Sequence, residues 1–116
     1  MNWLRNIFRR RSALTVQEIV AFMLDKSQNL SERDDFAGDL CDSDLPEVEA
    51  ALVAIASDRS EDELILDTAG HSLWIICDRQ KRKLPDALVA GLQPEAQKFF
   101  VSRVTSNKSF ERTPEG

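Results

Sequence analysis

The chain has 116 residues, 42% of them hydrophobic and 30% charged, with a net charge of −5 and one histidine. That length supports a single hydrophobic core of ordinary globular composition. No apolar run approaches the roughly 20 residues of a bilayer-spanning helix, which excludes an integral membrane protein.

Residues 1–12 read as a basic amphipathic N-terminal helix. Trp3, Leu4, Ile7 and Phe8 share one helical face, with Arg5, Arg9, Arg10 and Arg11 around it. The basic cluster follows the apolar residues, the reverse of a secretory signal, so a cytoplasmic protein is expected. The apolar face fits packing on the domain, contact in a homodimer, or contact with a membrane surface.

Residues 13–105 read as one all-helical domain whose helix starts are marked by four capping-box signatures: Thr15 with Glu18, Ser31 with Asp34, Asp44 with Glu47, and Ser60 with Glu63. In each, the first side chain can hold an orphan amide and the second can reach back. The first helix, about 15–27, sets Val16, Ile19, Val20 and Met23 on one face. The second, about 31–41, buries Phe36, Ala37 and Leu40, with Leu30 as a staple.

From Asp44 to Gln80 two amphipathic helices are joined by the turn Ser57-Asp58-Arg59-Ser60. One carries Val48, Ala51, Leu52, Ile55 and Ala56; the other carries Leu66, Ala69, Leu73, Ile76 and Cys77. So short a turn makes them an antiparallel pair. The apolar phase runs through Gly70 without slipping, so the second is one helix over about 61–80, with the glycine allowing close approach of a neighbour at a cost of roughly 1 kcal/mol. Beyond Lys81-Arg82-Lys83, Pro85 and Pro94 each open a helix. The first runs to about Ala90; the last runs to about Thr105 and turns Ala96, Phe99, Phe100 and Val104 inward. Residues 106–116 have no period and read as a flexible tail.

Charge is segregated: Glu32 to Asp67 holds thirteen acids against Arg33 and Arg59, between basic clusters at Arg5–Arg11 and Arg79–Lys83. A nucleic-acid binder would need a continuous basic face. No phosphate loop, nucleophile motif or metal-spaced Cys/His cluster is present, so no enzyme, cofactor or metal is expected. Cys41 and Cys77 read as buried reduced thiols. His71 has Asp67 as its only reachable acid–base partner along the helix and reads as a surface or helix-pair histidine.

The stretch Leu45-Pro46-Glu47-Val48-Glu49-Ala50-Ala51-Leu52, with Ser57-Asp58, Asp62-Glu63-Leu64 and Thr68-Ala69-Gly70-His71-Ser72-Leu73, resembles a HEAT-type repeat. Acids stand where that family has a base early in its second helix. Asp62 to Ile76 more loosely resembles small all-helical immunity proteins of bacterial toxin systems. The tail around Ser109-Phe110-Glu111-Arg112-Thr113-Pro114 is similar to tails of proteins encoded in mobile integron cassettes. These resemblances imply an all-α, HEAT-like antiparallel bundle of five to seven helices that binds a protein partner. The expected surface is Asp34, Asp35, Asp39, Asp42, Asp44, Glu61, Asp62 and Glu63, covering a basic toxin domain. The alternative is a peripheral or self-associating adaptor using Trp3, Leu4, Ile7 and Phe8.

Overall fold

In a computed structural model that describes residues 14–101, the chain is helical throughout and no strand forms among those residues. The helices are α1 (Val16–Leu24), α2 (Leu30–Asp39) leading directly into a 3-10 turn (Leu40–Asp42), α3 (Pro46–Ala56), α4 (Glu63–Arg79) and α5 (Asp86–Gly91). Residues 94–101 form α6. This is the all-α antiparallel bundle that the periodicity predicts. The expected helix over 1–12 and the tail over 106–116 lie outside the described residues.

Successive helices from α1 to α4 alternate in direction, and the polar contacts between them fix this. The Arg33 Nε at the start of α2 donates to Met23 O at the end of α1 (2.8 Å). Arg79, ending α4, donates to Asp44 just before α3 (2.7 Å). Helices α2 and α4 therefore run parallel, with α3 antiparallel to both. All ten residues assigned to the apolar stripes of α3 and α4 are buried, and Phe36, Ala37, Leu40 and Met23 complete the core. Phe22 meets Phe36 edge to face, with centroids 5.1 Å apart.

Of the expected capping boxes, Thr15 with Glu18 forms reciprocally. The other three give way to nearby groups with better geometry. Asn29, not Ser31, caps α2 by accepting from the Glu32 amide (3.1 Å). Pro46 opens α3, where its missing N–H costs no hydrogen bond, and Asp44 is drawn away to Arg79. Asp62 caps α4 through the Leu64 amide (2.9 Å), while Ser60 donates to Asp58 (2.7 Å) within the turn. Small polar side chains compete for such roles at short range, so a start moves by one or two residues while the helix stays.

α4 is the central helix, packing on α2 and α3 and receiving α6. Gly70 is what lets α6 in: a β-carbon there would stand 2.5 Å from Ala96 Cα and 2.7 Å from Ala96 O. On the side facing α2, the buried Ser72 hydroxyl donates to Ala37 O (2.7 Å). α6 is also tied to the end of α3, because Gln93 donates through its amide to Ala56 O (2.8 Å) and through its side chain to Ser57 O (3.1 Å). Two carbonyls left without helical partners at the α3 terminus are thereby satisfied.

α4 ends in a Schellman motif. Arg82 N bonds Cys77 O (3.1 Å) and Lys81 N bonds Asp78 O (3.2 Å), with Lys81 at φ 57° in the left-handed region usually given to glycine. No helix among the described residues is long and apolar enough to cross a membrane.

Candidate protein-binding surface

Between Lys26 and Arg59 the only basic residue is Arg33, and it is 3% exposed. Position 33 falls in phase with Phe36, Ala37 and Leu40, so the helix that buries those three turns Arg33 inward as well. Its guanidinium grips Glu61 through both nitrogens, one contact measuring 3.1 Å, and both side chains are 4% exposed. The outer side of α2 therefore carries Glu32, Asp35 and Asp39 with no base of its own, and Asp42 continues the row one turn further.

The eight acids expected at a binding surface separate into groups. Asp34, Asp35, Asp39 and Asp42 follow α2 and its 3-10 turn. Asp62 and Glu63 are exposed at the first turn of α4, which lies at the same end of the bundle as the start of α2 because the two helices run parallel. Glu61 does not belong to the surface, since it is turned inward on Arg33. Asp44 is exposed but already engaged: it accepts from Arg79 (2.7 Å) and from Gln80 (2.9 Å), and these donors hold its carboxyl below the usual carboxylate range.

The second basic cluster is likewise partly consumed within the domain. Arg79 also holds Cys41 O (2.6 Å) and Ser43 O (3.1 Å), and Arg82 pairs with Glu49. Lys26 takes Asp58 (2.6 Å) and Lys98 takes Asp67 (2.6 Å). These pairs take up Asp44, Glu49, Asp58 and Asp67, and Arg79 reaches the 3-10 turn that carries Asp42.

Asp34 stands apart from its neighbours. Its Oδ1 is buried without a hydrogen-bond donor, at the seam where α2 meets Thr68 of α4. Burial, foremost, raises its carboxyl above the ordinary aspartate value; a hydrogen bond with Thr68 opposes this, and the charges of Asp35 and Asp67 add to the rise.

His71 lies exposed on α4, stacked on Phe99 (5.1 Å between centroids) and Trp74 (6.4 Å). Asp67, its nearest acid by helical spacing, is bound to Lys98 instead. Both cysteines are free; Cys77 is buried as expected, whereas Cys41 is half-buried because the 3-10 turn rotates it off the core phase. Burial pushes both thiols up. Trp3, Leu4, Ile7 and Phe8 lie outside the described residues. A scan of protein families, a search of characterised proteins and a search of solved structures each found no match to this chain.

Proposed function

We propose that the domain is a non-catalytic binding module that presents the acidic side of α2 to a basic protein partner. The observation that carries this is the inward burial of Arg33, which turns the one base between Lys26 and Arg59 away from the side of α2 that carries Glu32, Asp35 and Asp39. Such a surface steers a basic partner toward it and favours that partner over neutral ones. Elsewhere in the domain Lys26, Arg79, Arg82 and Lys98 pair with Asp58, Asp44, Glu49 and Asp67.

The specific form of the proposal is an immunity or antitoxin protein that covers the basic substrate cleft of a nuclease-type toxin. Its support is the acidic surface on a small helical bundle, together with the resemblance of Asp62 to Ile76 to toxin-immunity proteins. Asp35, Asp39 and Asp42 form the centre of the contact, with Asp34, Asp62 and Glu63 at its edge.

The test is capture from source cells on wild-type protein and on the D35K/D39K/D42K variant in parallel. A basic protein retained by wild type, lost from the variant, and released near about 1 M salt, where the Debye length is about 3 Å, is the expected result. With that partner purified, charge reversal slows association by an order of magnitude or more at low salt. Equal retention by both baits, or an association rate indifferent to salt, removes the acidic row as the contact.

A further inference from the structure

Residues 1–13 hold Arg5, Arg9, Arg10 and Arg11, and no acid precedes Glu18 in the chain. The described residues begin at Leu14, immediately before the Thr15 cap of α1. Because the end of α1 is tied to Arg33 at the start of α2 through the Met23 carbonyl, the start of α1 lies toward the other end of α2, where Asp39 and Asp42 stand. A second contact places it there independently. The Gln17 side chain donates to Glu47 at the start of α3 (3.5 Å), and the 3-10 turn carrying Asp42 leads into α3.

An extended chain covers about 3.3–3.6 Å per residue, so Arg9, Arg10 and Arg11 lie within roughly 10–18 Å of chain from Leu14, and Arg5 within roughly 30 Å. The row from Glu32 to Asp39 is only about 10 Å long at the helical rise. The arginine-rich segment thus spans the row with slack. Of the domain's own bases, Arg33 is turned inward on Glu61, and Arg79, which reaches the 3-10 turn, has Asp44 against its guanidinium (2.7 Å).

We propose that residues 1–13 are a tethered basic segment that docks on the acidic side of α2 in the same chain, with Arg9, Arg10 and Arg11 set toward Asp39 and Asp42 and Arg5 toward Asp35 and Glu32. One exposed ion pair contributes little by itself. Several on a short tether act together, because the tether supplies an effective concentration on the order of millimolar and opposite charges attract along the whole row. The segment is then an internal competitor, and an outside basic protein reaches the row only by displacing it. Docking itself needs no outside partner; only that consequence rests on the row being a contact surface for one.

The test uses the full chain carrying R10K, which keeps the charge and supplies an amine. A water-soluble carbodiimide joins such an amine to a carboxylate in contact with it, forming an amide as the reagent becomes its urea, and the joined peptides are mapped by mass spectrometry. At low salt the expected crosslinks run from position 10 to Asp39 or Asp42 within one chain, at a yield independent of protein concentration. They are expected to fall severalfold at about 1 M salt, where the Debye length is about 3 Å. In parallel, R9E/R10E/R11E is expected to move the backbone amide resonances of residues 32–42 more than those of α3. Crosslinks that rise with protein concentration and join two chains overturn the proposal and assign the row to a second copy. Crosslinks confined to acids outside the row, or none at all, also overturn it, as do resonances over 32–42 indifferent to the charge reversal. Both readouts are taken without a partner, so their failure leaves the outside contact standing, and failure of the capture experiment leaves the docking standing.

Discussion

Arg33 and Glu61 are 28 residues apart in the chain, yet they form an ion pair in which each side chain is only 4% exposed. The pair joins the start of α2 to the turn before α4, and the Arg33 Nε bond to Met23 O brings in the end of α1 as well. One guanidinium thus closes one end of the bundle, and removing either partner strands a charge away from water. Glu61→Ala is expected to cost about 3–5 kcal/mol in urea unfolding. The R33M/E61L double variant is expected to recover most of that loss, because two apolar side chains need no partner. A single variant costing under about 1 kcal/mol would show that the pair is hydrated.

Gly70 and Gly38 are expected to respond to alanine in opposite directions. At position 70 the new methyl meets the Ala96 backbone, which cannot yield as a side chain tip would, so α6 must lift off α4. Gly70→Ala should destabilise by about 1–3 kcal/mol despite its better helix propensity. At position 38 the methyl meets only Thr68 Cγ2 at ordinary contact distance, 3.6 Å, and the propensity gain of roughly 0.5–1 kcal/mol should appear as added stability. Equal effects at the two sites would contradict the packing of α6.

Lys81 adopts its left-handed conformation at φ 57° only because the Schellman bonds at the end of α4 require it. Lys81→Gly is expected to stabilise by about 1 kcal/mol, measured by thermal unfolding, since glycine bears no β-carbon penalty there. A loss of stability would mean that the lysine side chain makes a contact worth more than the strain.

Asp58 offers the opposite pH behaviour to Asp34. A hydrogen bond from Lys26, with two more from Ser60, holds its carboxyl far below the ordinary aspartate value. Its contribution is therefore present above the unfolded value and is lost as pH falls through the depressed folded one. The melting temperature of D58N should lie below wild type by a constant margin from neutral pH to about pH 4, and the margin should close only in stronger acid. A margin that widens on acidification would reverse the assigned sign.

Leu52 and Leu73 are fully buried on the facing stripes of α3 and α4, and replacing either with Ala should cost about 2–5 kcal/mol in denaturant unfolding. That pair was legible in the sequence because apolar residues recur in phase over several turns, a signal that burial enforces and that one polar interruption cannot erase. Helix starts were less legible. Ser31, Asp44 and Ser60 have the right chemistry for caps, but Asn29, Arg79 and Asp62 compete for the same atoms, and two of these lie within two residues.

The acidic row was visible as composition, but its sorting was not. Nothing local to Glu61 distinguishes it from Asp62 and Glu63, and its inward turn is decided by Arg33 in another helix. A signal for Arg33 did exist in its spacing with Phe36, Ala37 and Leu40, although charge argues against reading such a position as interior. The stack of His71 on Phe99 depends on where α6 crosses α4, which is information held by Gly70 and Ala96 together.

Between Leu84 and Leu92, both buried, the chain makes an excursion in which α5 buries none of its six residues. Its two ends are anchored independently, one below the Schellman turn and the other beside the Gln93 clasp on α3. Changes of length between those anchors leave the α3–α4 interface and the acidic row untouched. The excursion is thus the natural place to splice in a fluorophore tag or protease site, and a cut there should leave two fragments that remain associated through α4 and α6.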